Sequence, residues 1–241
     1  MSKNDRGGNT GGYTAVAIDG PAGAGKSTIA RWAAAELGFL YVDTGALYRA
    51  IGLFVLENGA DPGAERQVLP LLRKASVSLG SENGEQRVFL GGEDVTGRIR
   101  TPQVSMASSR VSAIPQVRSF LLGLQRQIAN ANNVVMDGRD IGTVVLPDAQ
   151  VKIFLTASAE DRARRRYEEM RARGERADYA DVLKDLKQRD YNDTHRAVAP
   201  LRRAEGAVLV DTTGNTLEQS VSLLIRVIRE RLPDKYSQKN G

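Results

Sequence analysis

The 241-residue sequence contains no cysteine, and this absence excludes two classes of protein. Without thiols, the chain can form neither a disulfide-stabilised scaffold nor a thiolate metal site. Long apolar runs are also missing, since even the stretch 223–225 is soon followed by Arg226 and Arg229, so we expect no membrane-spanning segment. Residues 1–12 are polar and lack the apolar core of a secretory signal. We therefore expect a soluble cytoplasmic protein with a disordered segment at residues 1–12 and a flexible one at residues 233–241.

Aromatic residues are scarce as well, at 5% of the chain, and they are not interleaved with its basic clusters. This scarcity argues against a surface on which the bases of single-stranded nucleic acid stack. Basic residues outnumber acidic ones by 34 to 29, so an anionic partner is still expected, either nucleic acid or a small phosphorylated metabolite. We expect the only tryptophan, Trp32, in the core and assign no role to the only histidine, His195.

One motif dominates what the sequence does contain, G-P-A-G-A-G-K-S at residues 20–27. It follows an apolar run of strand length at residues 14–18 and precedes apolar residues at the four-residue spacing of a helix. Between a strand and a helix, such a sequence forms a loop whose backbone N–H groups surround a phosphate. Lys26 would reach the β- and γ-phosphates, and the Ser27 hydroxyl would bind Mg²⁺. The sequence therefore predicts binding of a nucleoside triphosphate.

Predicted strands and helices alternate along most of the chain, which is the pattern of a doubly wound α/β fold. Residues 77–100 differ, because short alternating runs around the Asn-Gly pair at residues 83–84 are typical of small antiparallel hairpins. We predict one domain at residues 13–232, with a β-containing insert near residues 66–101 and an arginine-rich lid near residues 160–176. Apolar runs predict a five-stranded parallel sheet with helices on both faces, its strands at residues 14–18, 39–42, 133–137, 151–155 and 207–211.

Three clusters of polar residues stand after strand ends or on charged helices, where a doubly wound sheet forms its ligand crevice. The first is D-T-G-A-L-Y-R at residues 43–49. Thr44 stands at a helix start, where it can donate to a phosphate, and Arg49 follows one turn later. The alternative interpretation makes Asp43 a helix cap and Arg49 a solvated charge.

The second cluster is D-G-R-D-I-G-T at residues 137–143, directly after a predicted buried strand. Its glycines suggest a loop pressed against a ligand. Arg139 offers a two-pronged donor to a phosphate, and Asp140 can accept from amino or hydroxyl groups. The alternative is a structural salt bridge in a tight turn.

The third cluster places Arg189, Asp193 and Arg196 on one face of a predicted helix, with an exposed ladder of ion pairs as the alternative interpretation. Nearby, the arginines at residues 162–173 are denser than solubility requires. Two uses are open for them, a lid over the triphosphate and a patch that binds nucleic acid. These arginines are Arg162, Arg164, Arg165, Arg166, Arg171 and Arg173.

Together with G-E-D-V-T at residues 92–96 and I-R-T at residues 99–101, these motifs resemble the bacterial cytidylate kinase family in order and spacing. The resemblance covers essentially all of residues 14–232. It implies a nucleoside monophosphate kinase fold with a P-loop core, a lid and a monophosphate-binding region enlarged by the insert. It also implies that the γ-phosphate of ATP is transferred to CMP or dCMP with the help of Mg²⁺.

Matching positions carry the family's residue roles onto this chain. The resemblance implies that Thr44, Arg49 and Arg139 hold the acceptor phosphate, that Ser109, Arg118 and Asp140 read cytosine, and that Arg189 and Asp193 hold the sugar, with Arg196 in the same pocket. Lys26, Arg139 and Arg189 are the predicted catalytic residues, and Ser27 is the predicted metal ligand. The predicted ATP contacts are Gly20, Pro21, Ala22, Gly23, Ala24, Gly25, Lys26, Ser27, Thr28 and Arg165.

Other functions of a phosphate-loop protein make different demands on the sequence. A P-loop GTPase would need an N-K-x-D-type motif that reads guanine, and the sequence has none. An ATP-driven nucleic-acid machine would need a second set of motor motifs and a longer chain. A kinase of another small acceptor, such as UMP or shikimate, and a nucleotide-binding protein without activity stay open, although arginines from three clusters suit a phosphorylated acceptor. We expect a monomer with no nucleic-acid or membrane partner.

Overall fold

The computed structural model of the protein describes residues 12–82 and 85–232. Except for Gly12, the segments expected to be disordered or flexible at the two ends lie outside the described residues. The strands are β1 (Ala15–Asp19), β2 (Leu40–Asp43), β3 (Val77–Glu82), β4 (Glu85–Leu90), β5 (Glu93–Asp94), β6 (Val134–Gly138), β7 (Val151–Thr156) and β8 (Val208–Asp211). The helices are α1 (Lys26–Leu37), α2 (Thr44–Glu57), α3 (Glu65–Leu72), α4 (Pro102–Val111), α5 (Pro115–Ala131), α6 (Ala159–Ala172), α7 (Tyr179–His195) and α8 (Leu217–Arg229).

The predicted five-stranded parallel sheet is confirmed, with the strand order β2-β6-β1-β7-β8. β1 lies at its centre and pairs with β6 in the register Asp19↔Gly138, so the ends of these two strands are neighbours. In a sheet of this kind, ligands bind beyond the carboxyl ends of the strands. The fold therefore brings the phosphate loop after β1 next to the D-G-R-D sequence at the end of β6.

Apolar side chains cover both faces of this sheet, as the alternation of strands and helices predicts. On one face, Ile18 and Ile153 pack with Ile29 of α1 and with Leu224 and Ile228 of α8. On the other face, a second core cluster contains Ala17, Val42, Ala129, Met136 and Ile141. A capping box formed by Thr216 and Gln219 begins α8. No helix in the described part of the chain is both long and apolar enough to cross a membrane.

The expectation for Trp32 is wrong, because its side chain is 60% exposed. The buried face of α1 consists of Ile29, Ala30, Ala33 and Ala34, which are mostly small residues. They let the helix approach the sheet closely, and Trp32 lies on the opposite side. Sequence spacing places a residue on a helix, whereas the packing decides which face turns inward.

The insert forms a small antiparallel sheet with the strand order β3-β4-β5, as predicted. Glu82 pairs with Glu85 across the hairpin, whose connecting residues 83–84 lie outside the described residues. Val88 and Val95 of the insert pack with Ala50 of α2. The insert is thus fastened to the helix that follows β2.

Candidate active site

A cleft with a volume of about 1340 Å³ lies next to the phosphate loop. Its walls also include residues of the insert, α4, α6 and α7. Every predicted site residue lines it except Gly20 and Pro21, which begin the loop. Clusters that are separate in the sequence therefore face one space.

Two glycines shape the phosphate loop. Gly20 has no room for a side chain, since a Cβ there would lie 1.9 Å from the carbonyl oxygen of Leu155. Gly25 precedes α1 with a φ of 80°, in the left-handed region that glycine adopts without strain. The loop therefore turns sharply from β1 into the N-terminus of α1, where free backbone N–H groups can bind phosphate.

Lys26 is buried, and its Nζ donates to the carbonyl oxygen of Pro21 at 2.7 Å. Burial and the nearby guanidinium of Arg139 lower the pKa of Lys26 to about 7. An anion placed against this amine would stabilise its charged form. The electrostatics of the loop thus favour a phosphate at this position.

Asp137, at the end of β6, holds the serine of the loop. The Ser27 hydroxyl donates to one carboxylate oxygen of Asp137 at 3.0 Å, and the Tyr41 hydroxyl donates to the other at 3.0 Å. Burial and the neighbouring Asp43 raise the pKa of Asp137 to about 6. No role for Asp137 was predicted from the sequence, although a buried strand that ends in an acid beside a phosphate loop was a usable signal.

The first predicted cluster, residues 43–49, includes the cap of α2 and also lines the cleft. Asp43 caps α2 by accepting from the backbone N–H of Ala46 at 2.9 Å, and it pairs with Arg49 at 2.7 Å. Burial opposes ionisation of Asp43, but Arg49 and Arg100 outweigh it and lower the pKa. Thr44 donates to the carbonyl oxygen of Asp137 at 2.8 Å. Asp43 is thus a helix cap, as the alternative interpretation held, but Arg49 is held by an ion pair instead of being freely solvated.

Arg139 and Asp140 form ion pairs with residues of other elements and not with each other. The alternative interpretation, a salt bridge within this tight turn, is therefore wrong. Nε of Arg139 donates to Asp193 of α7 at 2.8 Å. The buried carboxylate of Asp140 pairs with Arg118 of α5, and its second oxygen lies 3.7 Å from Arg196. Neighbours in sequence therefore connect different walls of the cleft.

The third cluster is not an exposed ladder of ion pairs, because Asp193 and Arg196 are both buried. Burial alone would raise the pKa of Asp193, but the charges of Arg139 and Arg196 outweigh it and lower the pKa. Arg196 lies just beyond α7, and its Nε donates to the carbonyl oxygen of Ala199 at 2.7 Å. Ala199 has a φ of 49°, an unusual value for a residue with a side chain. A tight turn thus aims Arg196 back into the cleft.

Arg189, which also lines the cleft, shows how cationic this wall is. Burial and the charge of Arg139 lower the pKa of Arg189 to about 10. Three buried polar atoms of cleft-lining residues have no hydrogen-bond partner among the described residues, Nε of Arg49, Oγ of Ser109 and Nη2 of Arg196. Buried groups of this kind are normally paired, so all three are available to a ligand.

The arginines of α6 have two different uses. Arg162 is buried and donates to the carbonyl oxygens of Ala22 and Ala157 at 2.8 and 2.9 Å, and it pairs with Asp190 at 2.7 Å. It therefore ties α6 to the phosphate loop and to α7. Arg165 donates to the carbonyl oxygen of Thr212 at 2.7 Å and also lines the cleft. The other cleft-lining arginines of this region are Arg164, Arg166, Arg173 and Arg176.

A phosphate loop that faces a wall of buried arginines across a cleft is the arrangement of a P-loop kinase whose acceptor is itself an anion. The comparisons with known proteins narrow this class. The family model described as cytidylate kinase matches residues 16–230. The chain therefore belongs to the cytidylate kinase family.

Curated relatives agree with the family model. The chain is 52% identical to a cytidylate kinase of Carboxydothermus hydrogenoformans over 213 residues, which cover 88% of this chain and 96% of the relative. It is 54% identical to a cytidylate kinase of Caldanaerobacter subterraneus subsp. tengcongensis over 215 residues, or 89% of this chain and 94% of the relative. The protein is a nucleoside monophosphate kinase, and its reaction is the ATP-dependent phosphorylation of CMP and dCMP.

Proposed function

We propose that the cleft binds both nucleotides at once, with the triphosphate of ATP on residues 20–28 and the monophosphate of CMP or dCMP opposite it. The observation that carries this proposal is that the phosphate loop and the loop after β6 begin side by side at the same edge of the sheet. The phosphate loop follows β1, and Arg139 and Asp140 follow its direct neighbour β6, with Asp19 in register with Gly138. Donor and acceptor phosphates held by these loops face each other, as direct transfer requires.

On the donor side, the loop N–H groups and Lys26 bind the β- and γ-phosphates, and Arg165 contacts ATP from α6. Ser27 and Asp137 fit a magnesium site, because their oxygens lie 3.0 Å apart beside the loop and Asp137 is buried without a full counter-charge. The described residues contain no group of three or more His, Cys, Asp or Glu that would hold a metal alone. Mg²⁺ commonly takes one or two protein ligands and completes its shell with phosphate oxygens and water. When bound, it would neutralise charge on the β- and γ-phosphates.

On the acceptor side, Arg49 and Arg139 hold the phosphate of CMP. Thr44 reaches it if its hydroxyl exchanges the bond to Asp137 for one to a phosphate oxygen. Asp140 and Arg118 bind the cytosine edge together with Ser109, whose hydroxyl has no partner among the described residues. The sugar hydroxyls are assigned to Arg189 and Asp193, with Arg196 beside them.

Transfer is direct in this proposal. A phosphate oxygen of CMP forms a bond to the γ-phosphorus of ATP while the bond from that phosphorus to the β,γ-bridging oxygen breaks, which yields CDP and ADP. The attacking oxygen is already ionised at neutral pH, so no general base is required. Lys26, Arg139 and Arg189 offset the repulsion between the two phosphates and the charge that develops in the transition state.

The insert and α6 form opposite walls of the cleft in this proposal. Gln86 and Arg100 of the insert line it, as do Arg164 and Arg173 of the α6 region. We therefore assign the monophosphate-binding region to residues 66–101 and the lid to residues 160–176. The monomeric state and the absence of a nucleic-acid partner stay predictions.

A coupled assay of ADP release over CMP, dCMP, UMP and shikimate tests the acceptor assignment. We expect ADP release to depend on CMP or dCMP. The variant Lys26→Ala should abolish turnover while its affinity for CMP in calorimetry stays near that of the wild type, because Lys26 serves the donor. Equal release with shikimate would contradict the acceptor assignment, and a parallel loss of CMP affinity would contradict the partition into two sites.

A further inference from the structure

Asp19 is a buried carboxylate to which the reaction described above gives no role. It is the last residue of β1, directly precedes the phosphate loop, and is only 1% exposed. Its two oxygens accept from the backbone N–H groups of Ile141 and Gly142, at 2.7 and 2.8 Å. These residues directly follow Asp140, so Asp19 links the donor loop to the loop assigned to the acceptor.

The backbone that Asp19 holds is one turn of π-helix at Ile141–Val145. Single turns of this kind are uncommon and occur often at functional sites. The opposite end of the turn is held by Arg126 of α5, which donates to the carbonyl oxygens of Val144 and Val145 at 2.9 and 3.1 Å. The carboxylate of Asp19 thus binds the N–H groups at the start of the turn, and the guanidinium of Arg126 binds the carbonyl groups at its end. Each end of the turn therefore has a charged partner of favourable sign.

The donor side of this link cannot shift easily, because Gly20 packs against the backbone of Leu155 with no space for even one methyl group. Burial raises the pKa of Asp19 to about 6. A buried carboxylate is unfavourable unless hydrogen bonds compensate for its lost hydration. Asp19 places its two accepting oxygens on the backbone that positions Arg139 and Asp140.

We propose that Asp19 is a positioning residue for phosphoryl transfer, which fixes the loop carrying Arg139 and Asp140 at a set distance from the phosphate loop. The inference rests on the proposed assignment of those two residues to the acceptor. Asp19 is not among the residues that line the cleft, so it contacts neither nucleotide in this proposal. Its loss should therefore misalign two sites that each still bind, and the chemical step should suffer more than either binding step.

The test is the variant Asp19→Asn, which keeps the size of the side chain but turns one acceptor into a donor that faces a backbone N–H group. We expect kcat to fall by about 10- to 100-fold, since a displacement of about 1 Å can cost that much. The dissociation constants for CMP alone, and for a non-hydrolysable ATP analogue alone, should each stay within about threefold of the wild-type values in calorimetry. The matched control is Asp211→Asn, an exposed aspartate at the end of β8, for which kcat should not change.

Arg126→Met provides a second variant, since Arg126 is only partly buried and its loss is less disturbing to the fold than a change at the centre of the sheet. We expect the same pattern with a smaller loss of kcat, about three- to tenfold. An unchanged kcat in Asp19→Asn overturns the proposal. So does a loss of CMP affinity as large as the loss of kcat, which would make Asp19 a purely structural support. Failure of the acceptor assignment itself would show separately, as normal kinetics of Arg139→Lys in an otherwise wild-type enzyme.

Discussion

The charged residues around Asp140 and Asp193 form one alternating network in the wall of the cleft. Arg118 pairs with Asp140, Arg196 lies within 4 Å of both Asp140 and Asp193, and Asp193 pairs with Arg139. Each carboxylate holds an arginine in place, and each arginine keeps further N–H groups for a ligand. These ion pairs restrict the side chains, and such restriction lowers the entropic cost of binding a ligand.

Arg139 is the first residue at which this arrangement can be tested. Its Nε donates to Asp193, and one N–H of Nη1 donates to the carbonyl oxygen of Gly138 at 3.2 Å, so each terminal nitrogen still has an N–H group for a phosphate. In Arg139→Lys, one ammonium would have to serve both the carboxylate and the phosphate, and we expect kcat/KM for CMP to fall at least about tenfold despite the conserved charge. The control is Arg110→Lys, at a side chain that is 46% exposed and does not line the cleft. Kinetics of Arg139→Lys that match those of this control would contradict the two-pronged grip.

Asp140 should determine the choice of base. Cytosine carries an amino donor where uracil carries a carbonyl acceptor, so a buried carboxylate that accepts from cytosine faces an unfavourable acceptor in uracil. Such a mismatch costs about 1–3 kcal/mol, or roughly ten- to a hundredfold. In Asp140→Ala, kcat/KM should therefore fall more with CMP than with UMP, while ATP affinity stays near the wild-type value. A CMP to UMP ratio that does not change would show that Asp140 does not read the base.

At the scale of elements, the insert is joined to the core by one side chain in particular. The amide of Gln86 on β4 accepts from the backbone N–H of Asp43 at 2.8 Å and donates to its carbonyl oxygen at 3.4 Å. Asp43 caps α2 and holds Arg49. The insert sheet thus meets the core at the start of the helix that carries Arg49, so a shift of the insert would reach Arg49.

Removing this junction should affect the acceptor site only. Gln86→Met keeps the length of the side chain but loses both hydrogen bonds, and we expect KM for CMP to rise about three- to tenfold, as the loss of one or two net hydrogen bonds implies. KM for ATP should not change, because the phosphate loop follows β1 whereas Gln86 contacts the end of β2. Gln67→Met, at an exposed glutamine of α3, is the control. A rise in both KM values would indicate general loosening of the fold.

At the scale of the whole molecule, the excess of cationic charge is concentrated in the cleft. Burial and mutual repulsion lower the pKa of Lys26 and of Arg189, and the chain as a whole carries a formal net charge of +5. An anionic ligand in the cleft would offset these positive charges, so its binding should stabilise the fold.

Nucleotide charge should therefore stabilise the fold more than the nucleoside does. CMP at one hundred times its dissociation constant should add about 2.7 kcal/mol to the free energy of unfolding, a rise in Tm of roughly 5–10 °C for a chain of this size. Cytidine at the same concentration, which lacks the phosphate, should raise Tm much less in differential scanning fluorimetry. Equal shifts in Tm with CMP and cytidine would contradict the proposal that arginines of the cleft bind the phosphate of CMP.

The sequence alone determined the framework of this protein. Apolar runs of strand length, the loop at residues 20–27 and the Asn-Gly hairpin are local patterns, because each depends on backbone conformation and burial within a few neighbouring residues. The sheet, the insert and the place of the phosphate loop between β1 and α1 followed from them. The resemblance to a family supplied a set of residues, and nearly all of them line one cleft.

Only the tertiary structure decided which groups are partners. Arg139 pairs with Asp193, 54 residues away, and not with adjacent Asp140, and Ser27 meets Asp137 across 110 residues. The outward direction of Trp32, the structural engagement of Arg162 and the link from Asp19 to Ile141 were equally beyond the sequence. Such contacts depend on the order of the strands and on which face of a helix turns inward. Both are set by the packing of the whole chain, because no local pattern encodes the distance between two side chains that are far apart in sequence.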